Sequence, residues 1–240
     1  MDKINPTPII VSIVVIIGLL MSILIVISYL KEENTISAAG NSQMTVSPDQ
    51  AVVYLLIEGR AKTAEEAKNQ NSLISDKVMN SMNLINIPDN MIETENYNIY
   101  PEYDWSDNGQ KIKGYIASHY IKIKAADFKN VGKIVDASVD AGALVNYINF
   151  ELSNEKNNEY KKQALSKASE DARLKAESIA NGLGKKLGKL VSVSSSDFNY
   201  MPYQLYSAGV AGVEVKEVAA SIQPKNLDVT ATVTVSYAIK

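Results

Sequence analysis

The sequence predicts an α+β protein: an N-terminal transmembrane helix, then a mainly antiparallel sheet, a long helix and C-terminal strands. Three observations predict it. Residues 8–30, PIIVSIVVIIGLLMSILIVISYL, carry no charge. Residues 50–152 run through strand-like and helix-like periodicities in the order strand, helix, strand, strand, helix, strand. That is the β-α-β-β-α-β order of the ferredoxin-like split β-α-β arrangement. A helix striped with alanine and a strongly alternating terminal strand complete the chain.

Residues 1–7 read as a short tail and 8–30 as a membrane anchor. At about 1.5 Å per residue the apolar run reaches about 34 Å, enough for a hydrocarbon core of about 30 Å. The competing reading is a long signal peptide, for which Ser37-Ala38-Ala39 offers a cleavage candidate. Lys3 precedes the run, while Lys31 is followed at once by Glu32 and Glu33. This asymmetry leans toward a cytoplasmic short end and an extracytoplasmic C-terminal domain, a single-pass protein of the cell membrane.

Residues 31–47 read as a polar tether with a short strand, TISAA, and 48–240 as the folded domain. PDQAVVYLLIEG is a strand closed by Gly59. Thr63 and Glu66 fit a capping box, and Ala67, Ile74, Val78, Met82 and Ile85 keep helical spacing behind it, so 63–85 is an amphipathic helix. IETENYNIYPEYDW and KIKGYIASHYIKIKA form a hairpin turning at Asn108-Gly109. Asp127 caps a helix over 127–141, with Val131, Ile134, Val135 and Ser138 on one face and Gly142 at its end. LVNYINFEL (144–152) is the next strand, and a helix over about 155–183 carries Ala164, Ala168, Ala172, Ala176 and Ala180 at intervals of four. Such a narrow stripe without bulk permits close approach to another element. KLVSVSSS (189–196) is a strand, 197–226 is irregular, and LDVTATVTVSYAI closes the chain with Leu227, Val229, Ala231, Val233, Val235 and Tyr237 on one face. An irregular connection of this length is expected to serve assembly or another function.

The composition narrows the chemistry. With 24 Lys+Arg against 27 Asp+Glu, the net charge of −3 is unlike that of a nucleic-acid binder. Cysteine is absent, which excludes disulfides, thiolate metal sites and cysteine nucleophiles. The single histidine, His119, excludes a multi-histidine metal site. SIANGLGKKLGKLVSVS (178–194) interleaves glycine with lysine as phosphate loops do. A phosphate loop, however, follows a strand and opens a helix, so that helix amides face the anion. Here the glycines end a helix and lead into a strand, with Lys185 and Lys186 placed on its last carbonyls; the stretch reads as a helix stop. No cofactor and no catalytic set is expected, so the chain does not read as an enzyme. An enzyme built around His119 and nearby carboxylates is the weakest alternative.

Seven stretches together resemble the SIMPL domain family: SPDQA (47–51), TAEEA (63–67), GYIAS (114–118), VDAGA (139–143), INFELS (148–153), ASEDARLKAESIANGLG (168–184) and VTATVTVSYAI (229–239). They follow the family's order across about residues 35–240. The family includes periplasmic immunogenic proteins of bacteria. The resemblance implies an exported or anchored protein; some members form large channel-like oligomers, and some are linked to oxidative-stress tolerance. It supplies no catalytic residues to carry over.

The expected role is therefore non-enzymatic, in the cell envelope, through homo-oligomeric assembly or an envelope protein partner. The membrane itself is contacted through 8–30, and nucleic acid is not a partner. Tyr100, Tyr103, Trp105, Tyr200, Tyr203 and Tyr206 form the candidate interaction surface. The alternative is a binding module for a small extracellular ligand or glycan on the aromatic hairpin 97–120.

Overall fold

The structure, a computed structural model, describes residues 16–23, 34–106, 109–196, 198–208 and 224–240. The transmembrane helix expected over 8–30 is not supported by the described residues. Among the described residues no helix is long and apolar enough to cross a membrane. Residues 16–23 are helical, α1. The rest of the 8–30 run lies outside the described residues, as does Asn108.

The strands form two sheets, where a mainly antiparallel sheet followed by C-terminal strands was expected. The elements are β1 (Thr35–Val46), β2 (Gln50–Ala61), α2 (Ala64–Leu84), β3 (Ile92–Ser106), β4 (Gly109–Ala125), α3 (Lys129–Asp140), β5 (Leu144–Glu151), α4 (Asn154–Gly182), β6 (Leu187–Ser195), β7 (Asn199–Tyr200), β8 (Tyr203–Ser207) and β9 (Leu227–Ile239). One sheet has the order β3-β4-β2-β5-β8 and a second the order β1-β9-β6, with β7 also on β9. β1 is a full strand of 12 residues instead of a short piece in a tether. Residues 198–208 carry β7 and β8 where an irregular segment was expected; 209–223 lie outside the described residues.

The chain forms two compact units. The larger, Asn41–Ala168 with Ser195–Thr232, holds the five-stranded sheet. Its neighbouring strands are antiparallel throughout. Alternation decides what this sheet buries: Val53, Leu55 and Ile57 of β2 and Ile121 and Ile123 of β4 share a core with Val78 and Met82 of α2 and Val131, Ile134 and Val135 of α3. Both helices therefore cover one face. Thr63 caps α2 by accepting from the Glu66 amide at 3.2 Å, and Asp127 accepts from the Lys129 amide at 3.0 Å at the start of α3. Gly59 lets β2 run against α2, because a Cβ there would collide with the Ala67 carbonyl.

The smaller unit is Met1–Gly40, Ser169–Ser194 and Val233–Lys240. Its core is made of small residues: Ile36, Ala38, Ala172, Ala176, Ala180, Val233, Val235 and Ala238 are all buried. The stripe excludes bulk, so helix and strands meet closely. Gly184, at φ +68°, ends α4 in the left-handed conformation, and the Lys185 amide donates back to the Ala180 carbonyl at 2.9 Å. This is the glycine stop read in SIANGLGKKLGKLVSVS.

Candidate functional site

The face of the five-stranded sheet turned away from α2 and α3 is polar and aromatic. Strand register sets Glu93 beside Lys122, Lys122 beside Tyr54, and Tyr54 beside Tyr147. Val53 and Ile123 alternate with them into the core, so these four side chains share the opposite face. The Tyr54 and Tyr147 rings stack with centroids 4.1 Å apart. Tyr54 Oη donates to Glu151 Oε1 at 3.1 Å, and Asn149 Nδ2 donates to the same oxygen at 3.3 Å. Glu93 accepts from Lys122 at 3.0 Å and from Lys124, and Lys122 also reaches Glu95 at 3.5 Å.

This arrangement biases the protonation states. The hydrogen bonds from Lys124 and Lys122 hold the Glu93 carboxyl below its usual range, and Glu93 in turn raises Lys122. Burial, then the charge of Glu151, pushes the Tyr54 phenol well above its ordinary value. Tyr200 is raised by the same two causes in the same order. Tyr147 is raised by burial and then by Glu95. The tyrosines thus act here as neutral donors and stacking surfaces. At one end of the face a polar groove of about 360 Å³ is lined by Gln50, Glu93, Lys122, Glu151, Asn157 and Tyr200, among others. The buried Asn157 Oδ1 has no hydrogen-bond partner among the described residues. Chemically, such a groove offers hydrogen bonds of both senses and an aromatic platform. Among the described residues no group of three or more His, Asp or Glu side chains is placed to hold a metal.

His119 lies on the helix-covered face of β4. Its Nδ1 is 3.1 Å from Ser75 Oγ and its Nε2 is 2.9 Å from Thr94 Oγ1. Tyr97 meets the ring edge-on at 5.5 Å. Burial lowers the imidazole pKa, favouring the neutral ring. Hydroxyls on both nitrogens orient the ring without a carboxylate to stabilise an imidazolium. Nearby, Asn71 Nδ2 donates to the carbonyls of Ile57 at 2.7 Å and Ala117 at 2.9 Å, tying α2 to the sheet.

The structure separates the six aromatic residues singled out in the sequence. Tyr100 and Tyr103 stand on β3, one edge of the five-stranded sheet, each about two-fifths exposed (43% and 41%). Trp105 occupies its place on β3 opposite Gln110; its side chain is not among those described. Tyr203 and Tyr206 are on β8, at the opposite edge, and both pack against the main core. The Tyr203 ring lies parallel to Phe150 at 6.1 Å. Tyr200 is on β7, where it packs beside Leu152 and lines the polar groove. Tyr100 and Tyr103 thus stand at the other edge of the sheet from Tyr203 and Tyr206. Tyr54, Tyr147, Glu151 and Lys122, which do come together, went unnoticed in the sequence. Their only signal was polar and aromatic residues alternating with core positions on three strands.

A further feature lies in the smaller unit. β6 is an edge of its sheet, with β9 as its strand neighbour. From Lys189 to Ser195 every residue of β6 is exposed, and Leu190, Val191 and Val193 are 49%, 49% and 56% exposed.

Fold and site together define a two-sheet α+β protein with a polar groove and an apolar sheet edge. The chain belongs to the SIMPL family, described as a protein of unknown function (DUF541), whose model matches residues 36–237. It is 32% identical to the 26 kDa periplasmic immunogenic protein of Brucella melitensis over 172 residues, 70% of this chain and 68% of that protein. It is 26% identical to the uncharacterized protein YggE of Escherichia coli K12 over 185 residues, 76% of this chain and 75% of that protein.

Proposed function

We propose that this SIMPL protein works outside the cytoplasm without catalysing a reaction, by associating with itself or with an envelope protein. The extracytoplasmic part is supported by the Brucella relative, which is named a periplasmic protein. The observation that carries the association is β6: a nine-residue edge strand with Leu190, Val191 and Val193 about half exposed. An exposed strand at the end of a sheet is a template for another chain. Sedimentation of the full chain over a wide concentration range tests the reading. It predicts species larger than the monomer, or a cross-linked partner in envelope preparations; a strict monomer with no partner contradicts it.

A second reading, a binding module for a small polar ligand, is favoured by the groove beside Glu151 and the Tyr54–Tyr147 stack. This reading uses that sheet face instead of the aromatic hairpin 97–120. Titration with neutral mono- and disaccharides, followed by chemical shifts of the groove residues, tests it; unshifted signals at millimolar sugar exclude glycans as the ligand.

A further inference from the structure

The polar groove of the larger unit is unevenly supplied with charge. On β3 and β4, Glu93 is matched by Lys122 and Lys124, and Lys122 also reaches Glu95. On β5, Glu151 lines the same groove without a cation. Among the described residues no lysine or arginine lies within ion-pair distance of it. The hydrogen bonds from Tyr54 Oη and Asn149 Nδ2 both fall on its Oε1, so Oε2 is left to accept from a ligand. After burial, the Glu151 charge is the next cause of the raised Tyr54 and Tyr200 phenols.

The N-terminus of α4, beside the groove, does not supply the missing positive charge. Asp49 already meets it, accepting from the Ser153 amide at 2.7 Å and from Ser153 Oγ at 2.6 Å. Ser153 Oγ in turn accepts from the Lys156 amide at 3.2 Å, and the Lys156 ammonium is turned to Glu159 at 2.8 Å. The neutral walls add further acceptors. Gln50 commits its Nε2 to the Leu152 carbonyl at 3.3 Å, which leaves its Oε1 to accept, and Asn157 Oδ1 is buried without a partner among the described residues. Leu152 is the one aliphatic residue in the described lining, and the volume of about 360 Å³ is that of a small-molecule site.

We propose, building on the second reading above, that the groove binds a small hydroxylated molecule bearing a primary ammonium group, with that group on the Glu151 carboxylate. An ammonium brings three donors and no acceptor, which is what Glu151 Oε2 and Gln50 Oε1 lack. Its bond to a carboxylate is charge-assisted, roughly twice as strong as a neutral one. The Tyr200 phenol and the Asn154 amide are left for the hydroxyls. An anionic ligand would meet Glu151 unmatched, and could take Lys122 and Lys124 only by breaking their pairs with Glu93.

The test titrates the full chain with glucosamine and with glucose, which share a ring and differ in the ammonium, and follows the amide shifts of the groove residues. Glucosamine should bind about tenfold or more tightly than glucose, with the largest shifts at Gln50, Glu151 and Leu152. Glu151→Gln keeps an acceptor for Tyr54 and Asn149 and removes the charge, so it should bring glucosamine down to the level of glucose. If the wild type binds both sugars equally in the groove, the ammonium assignment is wrong while the small-ligand reading stands. A preference for glucosamine that survives Glu151→Gln also overturns the assignment. If neither sugar shifts the groove at millimolar concentration, both fail.

Discussion

The two units hold themselves together in different ways. The larger buries bulk: Phe150, Leu55, Ile57, Met82 and Ile134 are all fully buried. The smaller buries alanine and valine, with Ala172, Ala176 and Ala180 at zero exposure on one helix stripe. Large side chains contribute most of the apolar area removed from water, so the larger unit is stabilised from within. The smaller unit gains less area per residue and relies on close backbone approach, which leaves no room for error. The edge strands differ too: β3 carries Glu93, Glu95, Pro101, Glu102 and Asp104, whereas β6 carries one lysine and neither proline nor acidic residue. A unit with a lean core and an open edge gains most from an external strand.

The largest expected effect breaks the bulky side of the contrast. Phe150 packs edge-on against Phe128 at 5.2 Å and parallel to Tyr203 at 6.1 Å. Phe150→Ala should cost about 3–5 kcal/mol, read as a lowered denaturant midpoint; a loss under about 1 kcal/mol would mean that the core is not packed this way. The lean side is sharpened by adding volume where none fits. Ala176→Leu should destabilise by about 1–3 kcal/mol through overpacking, and a neutral outcome would show space beside the stripe that the structure does not contain.

Much of this was legible in the sequence because it is local. The Thr63 cap, the glycine end of α4 and the four-residue alanine period are all written within a few positions of one another. β1 was missed beyond its first residues because its inward positions include Gly40 and Ser42, which carry no hydrophobic signal, although both are buried. The transmembrane expectation rested on the length and composition of one uncharged run, and among the described residues no helix is long and apolar enough to cross a membrane. The aromatics are dispersed for a topological reason: closeness along the chain does not tell that β3 and β8 lie at opposite edges of one sheet. The polar groove draws on Gln50, Glu93, Lys122, Glu151 and Tyr200 from five strands, which no spacing rule brings together. β6 was readable as a strand, but an edge is defined by what lies beside it.

Smaller effects refine the picture within the larger unit. Thr63→Ala removes the acceptor for the Glu66 amide and should cost about 1 kcal/mol, detectable as faster amide exchange in the first turn of α2; unchanged exchange there would discount the cap. The smallest effect is in pH. Burial lowers the folded pKa of His119 below its ordinary 6.5, so the unfolded chain binds the proton more readily. The stability from the neutral ring is present above about pH 6.5 and is lost as pH falls from there through the folded pKa. His119→Gln should flatten that part of the stability profile, and an unchanged profile would place the titration elsewhere.

Amide hydrogen exchange of the full chain, compared at high and low concentration, tests the open edge most directly. Amides of β6 should gain protection at high concentration and lose it on dilution, while the amides on the outer edge of β3 exchange rapidly at both. Equal and rapid exchange of β6 at every concentration would contradict pairing at this edge.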